Sequence, residues 1–173
     1  MNFLVTGGAG FIDSAVIRYP IWETEHKVLN LDNLTYAGNV ETLADVDNNT
    51  RYWFIQGDIC YYQQVEKLFV EHQPEIVMHL GAESHSDRSI DGPPDFVQTN
   101  IFGTAVMLEC ARDYYSKLDS EKKGVFAFTI SLQMKFLAAW VQQVFLPKNP
   151  IMTLALLIPH PRRVLIILFA HGI

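Results

Sequence analysis

After Glu121 the chain contains no aspartate or glutamate: all 19 acidic residues precede the last 52 positions. At the acid density of the first part, such a gap arises by chance roughly once in 10⁴, so it marks a break in composition. Glycine is missing between Gly124 and Gly172, whereas four of the eight prolines follow residue 146. The chain therefore divides into residues 1–131 and residues 132–173.

Other scarcities exclude whole classes of function. The two cysteines, Cys60 and Cys110, have no metal-ligand spacing and are too few for a disulfide framework, so free thiols in a cytoplasmic protein are expected. No basic segment followed by an apolar core opens the chain, so no secretion signal is expected. The tail's apolar runs, Thr153 to Ile158 and Val164 to Ala170, are separated by Pro159, Pro161, Arg162 and Arg163. Each falls well short of the roughly 20 residues of a spanning helix, which argues against a membrane anchor. Only 18% of residues are charged and the net charge is −6, which offers nothing to offset the phosphates of a nucleic acid. With 173 residues, 49% of them hydrophobic, one globular domain with a real core is expected.

What is present is organised around Phe3-Leu-Val-Thr-Gly-Gly-Ala-Gly-Phe-Ile-Asp13. An apolar strand runs into a glycine cluster and then into a helix beginning near Ser14. In that context Gly7 and Gly10 let the backbone approach a pyrophosphate, and the N–H groups at the helix start receive its charge. The third place of the G-x-x-G-x-x-G pattern holds Asp13, where a glycine would let helix and strand pack closely. Pro20 is expected to end or kink the helix.

A second strand spans His26 to Asp32. Asp32 stands 25 residues after Gly7, near the spacing at which a carboxylate accepts hydrogen bonds from the adenosine ribose of NAD and repels the 2′-phosphate of NADP. The bland alternative is a solvated loop aspartate. A short helix is expected over Val40 to Val46, and a third strand over Arg51 to Asp58. Gln63 to His72 shows one apolar face (Val65, Leu68, Phe69), and Pro74 stops it. A fourth strand runs from Glu75 to Leu80, with Gly81-Ala-Glu-Ser-His85 at its carboxyl end. A long helix is expected over Pro94 to Arg112, with Val97, Ile101, Ala105, Leu108 and Ala111 on one side. The fifth strand is expected over Lys122 to Ser131. Strands alternating with helices imply an α/β Rossmann-type doubly wound parallel sheet, incomplete because no further strands of that kind follow.

His79, Glu83 and His85 match no helical metal pattern, and no metal is expected. His85 with Asp87 and Arg88 reads either as a loop that positions a ligand or as a self-satisfied turn. Tyr114 and Lys117 read as a solvated helix end rather than a proton-transfer pair.

Several stretches together carry a family resemblance: Thr6-Gly-Gly-Ala-Gly-Phe-Ile12, Leu31-Asp-Asn-Leu-Thr-Tyr-Ala-Gly38, Asp58-Ile-Cys60, Val77-Met-His-Leu-Gly-Ala-Glu-Ser-His85, Asp87-Arg-Ser-Ile90 and Thr99-Asn-Ile-Phe-Gly-Thr104. Residues 1–131 resemble the dTDP-glucose 4,6-dehydratases, NAD-dependent members of the extended short-chain dehydrogenase/reductase superfamily. The resemblance implies a held NAD that oxidises the sugar at C4, loss of water across C5 and C6, and return of hydride to C6. It implies that Gly7, Gly10, Phe11, Ile12, Asp32, Asn33, Leu34, Thr35, Asp58, Ile59, Leu80, Gly81, Ala82, Glu83, Ser84 and Thr99 line the NAD site. Ser84 and His85 would face the dTDP-glucose. It also implies a cytoplasmic homodimer. Asp13, Asn33 and Gly81 depart from the family's glycine, lysine and alanine.

The family's catalytic S-T-D-E-V-Y-G and S-S-P-Y-S-A-S-K segments are absent, so no catalytic residue is assigned. Yet the third base of each codon, read with the first two of the next, lets Leu132 to Lys135 encode T-D-E-V. By the same rule Leu154 to His171 can encode S-S-P-Y-S-A-S-K-A-S-S-D-H-L-V-R-A-W. The expectation is a net one-base frameshift from Leu132 onward, leaving a poorly packing, aggregation-prone tail. The chain would then be the inactive NAD-binding portion of such an enzyme, without the family's C-terminal strands and substrate lobe. The alternatives are a non-catalytic nucleotide-binding protein and a reductase using groups from the tail.

Overall fold

A computed structural model describes residues 1–10, 13–35, 38–83, 93–131, 152–157 and 164–169. Five strands lie parallel: β1 (Asn2–Thr6), β2 (Lys27–Asp32), β3 (Tyr52–Gln56), β4 (Ile76–His79) and β5 (Ala127–Ser131). With β6 (Met152–Leu157) and β7 (Val164–Phe169), the sheet order is β3-β2-β1-β4-β5-β7-β6. The order reverses between β1 and β4, as in a doubly wound sheet. The helices are α1 (Asp13–Glu23), α2 (Tyr62–His72), α3 (Pro93–Val97), α4 (Thr104–Lys117) and α5 (Ser120–Val125).

The apolar strands are buried on both faces, as parallel sheets require. Leu4, Leu29, Val77 and Phe128 stand side by side across four strands and pack with Val65, Leu68 and Phe69 of α2 and Met107, Leu108 and Ala111 of α4. Val5, Val28 and Tyr52 face the other way, into a cluster with Ile17 and Ile21 of α1.

Three local expectations are corrected. First, α1 runs through Pro20 to Glu23, with Pro20 buried. Carbonyls near its end find other donors: Thr24 Oγ1 donates to Pro20 O at 2.6 Å, and the Arg51 guanidinium donates to the carbonyls of Ile21 (2.7 Å), Thr24 and His26 (3.2 Å). Replacing Arg51 by alanine strips all three carbonyls of that partner. We expect a loss of about 1–3 kcal/mol, read as a lower urea midpoint with an unchanged slope.

Second, the fifth strand starts at Ala127, because Ser120–Val125 is helical. Asp119 caps it by accepting the Lys122 N–H at 2.8 Å, and a capped Ser-Glu-Lys turn prevails over the strand reading. Third, the long helix carries a π-helical segment, Gln98–Gly103, between α3 and α4. The wider turns shift the phase of residues before and within the segment, so Val97 and Ile101 are exposed while Leu108 and Ala111 stay buried. The remaining early helix, over Val40–Leu43, is a short 3₁₀ turn capped by Asn39.

Beyond the five parallel strands the sheet continues past β5. The tail's two apolar runs form an antiparallel pair, with β7 lying antiparallel to β5. An unpaired strand edge offers backbone donors and acceptors to any extended segment, whatever its side chains. Among the described residues, no helix is long and apolar enough to cross a membrane.

Candidate functional site

Paired registers bring Thr6, Leu31 and His79 level, with Asp32 opposite Gln56, so the segments following β1, β2, β3 and β4 emerge at one edge of the sheet. In an open parallel sheet that carboxyl edge, at the order reversal, is where ligands collect.

The glycine turn is built around Gly7, whose φ of +74° lies in the left-handed region. Its N–H donates to Leu31 O at 3.0 Å, and its carbonyl accepts Gly10 N–H at 3.1 Å. A Cβ on Gly7 would stand 2.5 Å from Gly81 Cα, so the loops after β1 and β4 meet backbone to backbone. Gly81 tolerates more: a Cβ there would lie 3.1 Å from Thr6 Oγ1.

At Gly8 helix and strand approach closely. A Cβ on Gly8 would be 2.3 Å from Ile17 Cδ1 and 2.5 Å from Asn30 Oδ1. Asn30, fully buried in mid-strand, accepts Gly8 N–H at 3.1 Å and donates from Nδ2 to the Tyr52 hydroxyl at 3.1 Å. Sequence reasoning passed over this residue; its signal was one amide inside the apolar run Lys27-Val-Leu-Asn-Leu.

Asp32 is 9% exposed and binds the turn directly: Oδ2 accepts Ala9 N–H at 2.9 Å, and Oδ1 accepts Leu34 N–H at 2.8 Å. The second bond holds Leu34 at φ +53°, an unusual conformation for a bulky residue, beside exposed Asn33 and Thr35. Asn39 N–H then donates to Ala9 O at 3.0 Å, closing the loop after β2 onto the glycine turn. After β3, Asp58 Oδ1 accepts Cys60 N–H at 2.8 Å, and buried Ile59 packs where a Cβ on Gly103 would stand.

After β4, Leu80 N–H donates to Thr6 O at 3.2 Å, and Gly81, Ala82 and Glu83 follow. Asn100, buried in the π-helical segment beside Thr99, clamps this loop: Oδ1 accepts Glu83 N–H at 2.8 Å, and Nδ2 donates to Glu83 O at 2.9 Å. The sequence placed Asn100 beside Thr99 without assigning it to the site. Phe11, Ile12, Ser84, His85 and the loop through Asp87 and Arg88 lie outside the described residues.

His79 is a strut. Its ring is 2% exposed, with Nδ1 2.7 Å from Thr6 Oγ1 and Nε2 3.0 Å from Thr104 Oγ1. Gly81 N–H already donates to Thr6 Oγ1 at 3.1 Å. The assignment that satisfies every group has the Thr6 hydroxyl donating to Nδ1 and Nε2–H donating to Thr104. Burial lowers the His79 pKa to about 4. The unfolded chain therefore takes up this proton first as pH falls. The stability tied to neutral His79 is complete above pH 6.5 and is lost progressively down to about pH 4. We expect about 3 kcal/mol over that window. Replacing His79 by leucine should flatten this part of the stability–pH profile, measured by urea unfolding from pH 4 to 7.

Burial, then the hydrogen bond with Asp58, pushes Cys60 up to about 11; burial pushes Cys110 up to about 12. Tyr114 is a packing residue rather than a solvated one, with its ring 5.4 Å from Phe69 and 5.6 Å from Phe126.

The family described as GDP-mannose 4,6 dehydratase matches residues 4–131. Over 128 residues the chain is 58% identical to dTDP-glucose 4,6-dehydratase 1 of Escherichia coli strain K12, covering 74% of this chain and 36% of that protein. It is 56% identical over 128 residues to the dTDP-glucose 4,6-dehydratase of Haemophilus influenzae, of which it covers 38%. Among solved structures it is similar to a dTDP-glucose 4,6-dehydratase from Streptomyces venezuelae with NAD and TYD bound. The TM-score is 0.60 and the identity 42%, over 66% of this chain and 36% of that one. The chain thus spans little more than a third of the length of these relatives and matches their N-terminal part.

Proposed function

Because the chain belongs to the GDP-mannose 4,6-dehydratase family, we propose that residues 1–131 are the NAD-binding portion of a dTDP-glucose 4,6-dehydratase. Residues 132–173 are then a tail read in a shifted frame. The observation that carries the reading is the backbone cradle at the sheet's order reversal, where a Cβ on Gly7 would stand 2.5 Å from Gly81 Cα. A pyrophosphate needs such a surface, free of side chains and next to the N–H groups of a helix start.

Asp32 fits the adenosine ribose. Each of its oxygens accepts one backbone N–H, and a carboxylate has about four acceptor places, so it retains room for ribose hydroxyls. The same charge disfavours a 2′-phosphate, which selects NAD over NADP. NAD, when bound, supplies a hydride acceptor. The chain's own part is to hold and orient it: Gly7 and Gly10 at the pyrophosphate, Asp32 to Thr35 at the ribose, Asp58 and Ile59 toward the adenine. The segment Leu80 to Glu83, with Thr99 beside the Asn100 clamp, closes the other side. The family resemblance assigns Ser84 and His85 to the dTDP-glucose, in a cytoplasmic protein that pairs as a homodimer.

Residues 1–131 supply no counterpart of the family's acid, base and tyrosine–lysine groups, so this chain binds without turnover. Incubation of the purified protein with NAD and dTDP-glucose should yield no 4-keto-6-deoxy sugar nucleotide; clear formation of that product would refute the inactivity. DNA sequencing across codons 132 to 171 should show T-D-E-V and S-S-P-Y-S-A-S-K in the neighbouring frame, and their absence would sink the frameshift. A second reading is a non-catalytic nucleotide-binding protein that keeps the same cradle and clamp for binding alone. Loss of fitness on deleting the gene would support it.

A further inference from the structure

The second glycine of the turn has a carboxylate laid against it. Asp13 is the first residue of α1, and its Oδ2 lies 2.7 Å from the point a Cβ on Gly10 would occupy. Its Cγ is 3.6 Å from the same point, and the residue is half-buried. The side chain is therefore turned toward the glycine turn, into space that the missing Cβ of Gly10 leaves open.

That position has two opposed electrostatic consequences. With the cradle empty, a negative charge in the first turn of α1 complements the partial positive charge of the helix start and stabilises the fold. With a phosphate group in the cradle, the same carboxylate becomes a like charge beside an anion. Among the candidate cofactor residues, Asp32, Asp58 and Glu83 add further negative charge.

We propose that Asp13, folded against Gly10 at the start of α1, is a specificity-determining residue that weakens the cradle's hold on a dinucleotide pyrophosphate while stabilising the unliganded protein. This inference rests on the reading of the site as an NAD site. It separates two properties that a purely structural residue would move together: the ligand-free stability and the affinity for a charged ligand.

The test is a titration of the wild-type chain, D13N and D13G with NAD, with adenosine as a ligand that lacks the pyrophosphate. Thermal unfolding of each protein is measured without ligand. D13N keeps the size of the side chain and removes only its charge. Its NAD affinity should rise on the order of tenfold, with adenosine affinity unchanged, and D13G should bind NAD at least as well as D13N. Both should unfold at lower temperature than the wild type in the absence of ligand. NAD affinity equal to wild type in both variants, or lower, overturns the inference while leaving the NAD site standing. Failure of all three folded proteins to bind NAD overturns the reading of the site, and this inference with it.

Discussion

Alanine at Gly7 is expected to abolish NAD binding and to lower the thermal midpoint of the chain by about 5–15 °C. Two costs combine. The residue sits at φ +74°, where a side chain costs about 1–2 kcal/mol. In addition, its Cβ would lie 2.5 Å from Gly81 Cα and 2.6 Å from Gly81 N, so the loop after β4 must move. That loop is held by Thr6, by Thr6 O through Leu80 N–H, and by the Asn100 clamp on Glu83, so it cannot move alone. The natural contrast is alanine at Gly81, which meets the Thr6 hydroxyl at 3.1 Å and should cost far less. An NAD titration with a thermal melt of both variants checks the pair. Wild-type affinity in the Gly7 variant would mean that the cofactor does not use this turn.

The second large effect concerns the tail. Correcting the gene by one base at codon 132, so that the neighbouring frame is translated, should yield a protein that forms the 4-keto product, which the proposed reading denies to the present chain. General acid–base groups contribute about 10²–10⁴-fold each, so their recovery with the tyrosine and lysine should raise the rate by at least three orders of magnitude over background. The formation of β6 and β7 from the present tail does not oppose this. Strand pairing is a backbone property that apolar runs satisfy without a selected side-chain pattern, and β5 presents an edge for it. A corrected protein that folds and binds NAD yet gives no product would contradict the frameshift account.

What could be read from the sequence was whatever a local pattern enforces. Gly7 followed by a helix start, Asp32 at a strand end, and Val65, Leu68 and Phe69 at helical spacing each dictate their own surroundings, and the five parallel strands followed from them. What could not be read depended on distant partners. Pro20 stays inside α1, whose end is held by Arg51 from the far side of β2. Val97 and Ile101 lose their expected burial to a π-helical segment with no local mark beyond Thr99 and Asn100. Asn30 looked like a flaw in an apolar strand and proved to be the residue that holds Gly8 in place. Asp13 was legible as a departure from the glycine pattern. Its close approach to Gly10 was not.

The central claim is that a family NAD cradle persists in a chain that lacks the family's catalytic groups. An equilibrium titration of the folded wild-type protein with NAD, and separately with NADP, tests it most directly. The account predicts saturable binding of one NAD per chain, with NADP markedly weaker because of Asp32. Folded protein that binds neither nucleotide, or that binds NADP as tightly as NAD, would contradict it.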